Sequence, residues 1–299
     1  SAWVQIGGQA PPDASGDRDT LRSVSGTSQA DVWASGDFHD NQGGYVLHWD
    51  GNDWVDRSLH QTGIWGFYNI YARTATDVWA LSAGPTNTTG DIYRWQGANW
   101  TKTTFGDALM RALWAASANQ AWAVGKDGKI LAWNGTAWQV QANPVSGTTV
   151  NYFAISGTSA TNVWAAGTMG IVVHWDGSSW TLVPTDTTSN FWGVWTSGSA
   201  STWASRHDGW IFRWDGTAWS QQYLGDGLGA LYGTGPNDVW AVDDIQGLWH
   251  WDGSAWASHL PPALSYWPFG NLYAASPTSV WMVGYSDSWV GEFVLRYRP

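Results

Sequence analysis

One phrase governs this chain. It opens as "DVWASG" at residue 31, closes as "VLHWDGNDW" at residue 54, and returns six more times along 299 residues. The copies are "DVWALSAG" to "IYRWQGANW", "QAWAVGKDGKILAWNGTAW", "NVWAAGTMGIVVHWDGSSW", "STWASRHDGWIFRWDGTAW", "DVWAVDDIQGLWHWDGSAW" and a shortened "SVWMVGYSDSWVGEFVLRYRP". A repeat of about 40 residues cannot bury its own apolar face and must stack on its neighbours, as in a propeller or a solenoid.

Each copy reads as four strands. "RALWAAS", "AWAVG", "KILAW" and "AWQVQ" are joined by Gly, Asn-Gly or Asp-Gly turns, which supply the positive φ of tight hairpins. In the six complete copies the second and third Trp stand five residues apart, from Trp49 and Trp54 through to Trp251 and Trp256. Five steps on from Tyr297, through Pro299 and onward from Ser1, fall on Trp3. The reading is therefore an all-β, seven-bladed β-propeller of four-stranded blades. It forms one domain over residues 1–299, and residues 1–6 supply the outer strand that completes blade seven and closes the ring.

Composition agrees. The chain has 28 Trp and 36 Gly but three Lys and one Glu, usage that disfavours helices. Its net charge of -11 argues against nucleic acid or an anionic membrane as partner. With no cysteine there is no disulfide, thiol catalyst or cysteinyl metal site. No run of about 18 apolar residues and no basic-then-apolar leader is present, so a soluble chain is expected, extracellular or periplasmic by its composition.

Residue types that every blade uses in one register are packing. This covers Trp33, Trp79, Trp122, Trp164, Trp203, Trp240 and Trp281 in the second strand, and the Trp of the third and fourth strands. His48, His174 and His250 share a position with Arg94, Arg213 and Arg296, so they are expected to hydrogen-bond or stack between blades rather than to bind metal. Asp50, Asp176, Asp215 and Asp252 precede Gly in hairpin turns. Trp114, Trp195 and Trp249 align with core residues of other blades.

Symmetry breaks on one face. From the second-strand Trp to the third-strand aromatic the spacing is 11 residues in blades three to six, but 16 in blades one, two and seven. The longer segments that enter those blades carry Trp65, Phe67, Tyr68, Tyr266, Trp267 and Phe269, and their second-to-third-strand loops carry Asp37, His39, Asp40, Asn87, Tyr285, Asp287 and Trp289. Aromatic planes beside amides and carboxylates suit a sugar, which offers C–H groups to the rings and hydroxyls to the acceptors.

These repeats resemble those of tryptophan-rich propeller lectins and, more loosely, Asp-box (BNR-type) propellers. The resemblance implies a carbohydrate-binding module for a sugar or glycoconjugate, with Trp65, Tyr68, Trp267, Trp289, Tyr285, Asp287, His39, Asp40 and Asn87 as ligand-binding residues and with no cofactor and no metal. Two alternatives stand beside it. One is a protein-interaction scaffold. The other is a glycoside hydrolase or lyase using Asp carboxylates, with Asp243 and Asp244, or Asp208 beside His207, as first suspects. The serine-hydrolase, zincin, P-loop and dinucleotide signatures are missing, so no catalytic residue is assigned.

Overall fold

The protein is a seven-bladed β-propeller. In the computed structural model the strands form seven separate four-stranded antiparallel sheets. The structure describes residues 2–5, 20–37, 44–59, 64–84, 88–105, 108–145, 150–243, 247–259, 269–286 and 291–298. Blade one is Thr20–Ser28, Asp31–Asp37, Gly44–Trp49 and Trp54–Asp56; the first strands of blades two to seven begin at Gly66, Met110, Tyr152, Phe191, Leu228 and Phe269. Blade seven has three strands of its own and takes Ala2–Gln5 as its fourth. That strand runs antiparallel to Gly291–Arg298 with Trp3 opposite Tyr297, the register that the five-residue spacing requires.

Two compact units make up the chain. Residues 1–107, 244–248 and 258–299 form one, holding blades one, two and seven; residues 108–243 and 249–257 form the other, holding blades three to six. The first unit contains the three blades with the longer spacing. In blades one and seven the added residues lengthen the ladder between the second and third strands, which runs from Val32 and Trp49 to Asp37 and Gly44, and from Val280 and Tyr297 to Ser286 and Gly291. In blade three the same ladder already ends at Val124 and Ile130.

Within each unit the second-strand Trp is the joint between blades. Trp33 lies 5.9 and 6.3 Å from Trp95 and Trp100 of blade two, and Trp281 lies 6.0 and 6.2 Å from Trp49 and Trp54 of blade one. In the second unit Trp164 meets Trp214 and Trp219, and Trp203 meets Trp251 and Trp256, with the same tilted and edge-on geometry. These are the offset arrangements that ring quadrupoles favour. Trp33, Trp164, Trp203 and Trp281 are all buried.

The histidines are bound within their own blades, which corrects the expectation of contacts between blades for them, whereas two of the arginines do reach the next blade, Arg213 over the Trp251 ring at 5.4 Å and Arg296 donating to Gln29 at 2.6 Å. Trp33 and His48 stand directly opposite each other on neighbouring strands, so their side chains share one face. The imidazole stacks on the indole at 4.1 Å, and both rings bond one acceptor, Asp31, His48 at 2.7 Å and the Trp33 N–H at 3.1 Å. Blade six repeats this with Trp240, His250 and Asp238, and blade four with Trp164, His174 and Asn162. In blade two the guanidinium of Arg94 takes the place of the imidazole, over Trp79 and bonded to Asp77.

The first strands interlock by size. Tyr273, Trp114 and Trp195 press on Gly26, Gly157 and Gly233 of the next blade, where an added Cβ would come within 2.6, 2.8 and 2.7 Å of the ring. Where the first-strand residue is serine, the next blade carries Ala72 or Thr196 and donates a hydrogen bond instead: the Ala72 N–H donates to Ser25 Oγ at 3.0 Å, and the Thr196 N–H to Ser156 Oγ at 3.2 Å.

The hairpin aspartates perform turn chemistry. Asp176 Oδ1 accepts from the Ser179 N–H, the Ser178 hydroxyl and the Ser178 N–H, and these bonds hold its carboxyl down to about 2. The Ser254 hydroxyl and the Ala255 and Ser254 N–H groups do the same for Asp252, also to about 2. Blade three makes the identical turn with neutral Asn134.

Two outcomes are expected. Gly157→Ala destabilises by about 1–3 kcal/mol through overpacking against Trp114, and Trp114→Ser in the same chain recovers part of that loss; a urea double-mutant cycle measures the coupling. Folded-state carboxyls held below their ordinary range stabilise the fold above about pH 4, and that contribution is lost as the pH falls towards 2. The Asp176→Asn, Asp252→Asn variant keeps the turns, so its Tm matches wild type at pH 7 and falls less steeply between pH 4 and 2.

Candidate functional site

Each first strand joins its sheet through a bulge near its start. Register shifts lie between Leu21 and Ser23, Phe67 and Asn69, Met110 and Ala112, Tyr152 and Ala154, Phe191 and Gly193, Leu228 and Leu231, and Phe269 and Asn271. A bulge leaves a residue outside the ladder and re-aims its side chain. The flanking Leu21, Phe67, Met110, Tyr152, Phe191 and Leu228 are buried in every case. The residues left out of the register are Arg22, Tyr68, Arg111, Phe153, Trp192 and Gly270, and in blade six both Gly229 and Ala230, of which Gly229 aligns with the others. This column varies in chemistry while the residue before it is a large apolar or aromatic one in every blade. It stands three residues before the first-strand register of Ser25, Tyr71, Trp114, Ser156, Trp195, Tyr232 and Tyr273, and that offset is the signal by which alignment of the repeats could have found it.

In the first unit the Arg22 guanidinium lies over the Tyr68 ring at 5.2 Å. Its Nε donates to Asp37, whose carboxyl is pushed up by burial and drawn back by the arginine. Trp65 begins the same connection and is 37% exposed. Of the residues expected to bind sugar, Trp65 and Tyr68 are therefore placed with their side chains. Tyr285 lies in Ser279–Ser286, opposite Glu292. His39, Asp40, Asn87, Trp267, Asp287 and Trp289 lie outside the described residues.

The second unit builds a longer row. The Arg111 guanidinium sits 5.3 Å from the Phe153 centroid, Phe153 stacks on Trp192 at 4.5 Å and 11°, and Trp192 lies 6.1 Å from the His207 ring. Trp192 is 44% exposed, though the adjacent Phe191 is fully buried. The connections around the row are tied down. The Asp127 and Met169 N–H groups donate to Asn151 and Asn190, and Arg206 bonds Thr187, Ser189 and Asp208. An open cavity of about 610 Å³ lies along the same connection, lined by Met169, Leu182, Val183, Pro184, Thr185 and Asp186 among others.

The carboxylates considered for catalysis hold other partners. Asp243 is buried and accepts from the Trp249 indole at 2.8 Å, and Asp208 pairs with Arg206. Asp244 is outside the described residues. Among the described residues no group of three or more His, Cys, Asp or Glu side chains is placed to hold a metal ion, and no helix is long and apolar enough to cross a membrane.

The fold defines the class, a seven-bladed β-propeller, and comparison with known proteins adds named structural neighbours. No family model matches the chain, and no curated protein does. Among solved structures it is similar to YCF48 from Cyanidioschyzon merolae, at 16% identity and a TM-score of 0.72 over 100% of this chain and 99% of that one. It is also similar to YCF48 bound to D1 peptide, at 16% identity and a TM-score of 0.70 over 100% and 94%. At such identity the likeness is one of fold. Neither description mentions carbohydrate, so the resemblance to lectins draws no support from them.

The exposed row and the core beneath it separate on substitution. Trp192→Ala is expected to cost about 1 kcal/mol, the worth of one stacked pair, whereas Phe191→Ala costs about 3–5 kcal/mol. Chemical denaturation of the two variants checks the contrast.

Proposed function

We propose that this propeller is a protein-interaction scaffold that captures an extended segment of another protein through the residues its first-strand bulges present. The observation that carries this reading is the row Arg111, Phe153, Trp192 and His207, with Trp192 44% exposed on a rigid support. Aromatic residues and arginine are the types enriched where proteins meet, and a few of them supply most of the binding energy. Exposed apolar surface of this kind signifies a partner. A structural neighbour, YCF48, has been solved with a peptide bound, which lends the scaffold reading further weight.

The sugar-binding reading ranks second for a geometric reason. A pyranose needs a free aromatic face, and the ring of Tyr68 already carries the Arg22 guanidinium. A display library of random 12-residue peptides, selected on the purified chain, tests the proposal. Binders are expected, and Trp192→Ala should weaken them by about thirtyfold, the loss typical of a central interface aromatic. An absence of binders would overturn it, and binding on a glycan array would then favour the sugar-binding reading.

A further inference from the structure

We infer that the open end of the Phe153–Trp192 stack is a seat for an arginine side chain, so that the captured segment is one bearing arginine; this rests on the scaffold reading above. The stack is ordered. Arg111 caps Phe153 and Phe153 covers one face of Trp192, each bulged residue lying on the one from the next blade. At the following blade the sequence of side chains stops, because that bulge position is Gly229.

Gly229 stands next to the stack. Gly193, the residue after Trp192, fits so closely against it that an added Cβ would come within 2.5 Å of the Gly229 carbonyl oxygen. A Cβ on Gly229 itself would meet nothing nearer than the Val242 carbonyl oxygen at 3.9 Å. The stack of bulged residues thus lacks the one side chain that would continue it, and a Cβ at Gly229 would make only an ordinary van der Waals contact.

Charge selects what fills the space. The chain carries a net charge of -11, and the second unit alone has nine aspartates against five basic side chains. Such a field draws cations. Asp208 follows His207 directly at this end of the row, and although Arg206 pairs with it, its side chain is 51% exposed and an ionised carboxylate can accept further hydrogen bonds. A guanidinium is planar and lies flat on an indole, and it can turn its N–H groups to a carboxylate at the same time. The protein already uses that pairing within itself, with Arg94 over the Trp79 indole and bonded to the Asp77 carboxylate.

The test uses peptides selected as above from the random library. Each arginine of a selected peptide is replaced in turn by citrulline, which keeps the shape and removes the charge, and affinities are measured by calorimetry on wild type, Trp192→Ala, Trp192→Phe and Gly229→Phe. One citrulline replacement is expected to weaken binding about tenfold on wild type and less than about twofold on Trp192→Ala. Trp192→Phe should keep most of the affinity. Gly229→Phe fills the seat from within and should weaken the parent peptide about tenfold while leaving Tm near that of wild type. Peptides that depend on Trp192 but show no such coupling, or that are selected without arginine, overturn the arginine seat and leave the scaffold reading standing. A library that yields no binder at all overturns both.

Discussion

The joint between blades is an indole. A four-stranded sheet that twists away from its neighbour leaves a gap that widens outward, and the second-strand Trp fills it against two further indoles of the next blade, as Trp33 does with Trp95 and Trp100. Removing a side chain of that area from water is worth about 4–6 kcal/mol before entropy is counted. In three blades its polar edge is satisfied as well. Asp31, Asn162 and Asp238 do so two residues upstream, and each also bonds the imidazole stacked on the same Trp. The histidines therefore belong to the joint rather than to a site.

A second constraint acts nearer the first strands. Large rings face glycine across a blade boundary, and serine faces alanine or threonine, so within each unit the residue opposite is small where its partner is large. The variation falls on the bulges, where residues released from the ladder pack on one another rather than in the joint between blades. Arg22 and Tyr68 in one unit, and Arg111, Phe153 and Trp192 in the other, use that freedom.

Much of the fold was legible because it is periodic. The position of Trp3 in blade seven, the five-residue hairpin spacing and the roles of the Trp registers all follow from counting, since every blade must meet its neighbour in the same way. The longer second-to-third-strand hairpins of blades one and seven were also visible as spacing, and the structure converts part of the added length into ladder. The site was less legible. Loops that break the repeat point to Trp65 and Tyr68, whereas Trp192 lies in none of the lengthened loops and in none of the repeated Trp registers.

The reason lies in what a bulge is. It is a slip in register between two strands, and no single residue announces it; Trp192 becomes exposed only because Phe191 and Gly193 keep their places on either side of it. Its partner Phe153 lies 39 positions earlier in the chain, and Gly229 lies 37 later. The sequence by itself determined the number of blades, their strand order and the closure of blade seven, because those depend on a period repeated seven times. Only the tertiary structure decided which aromatic rings remain open to a partner, because stacking across blades and release from a ladder arise from strands brought together, and local spacing does not encode them.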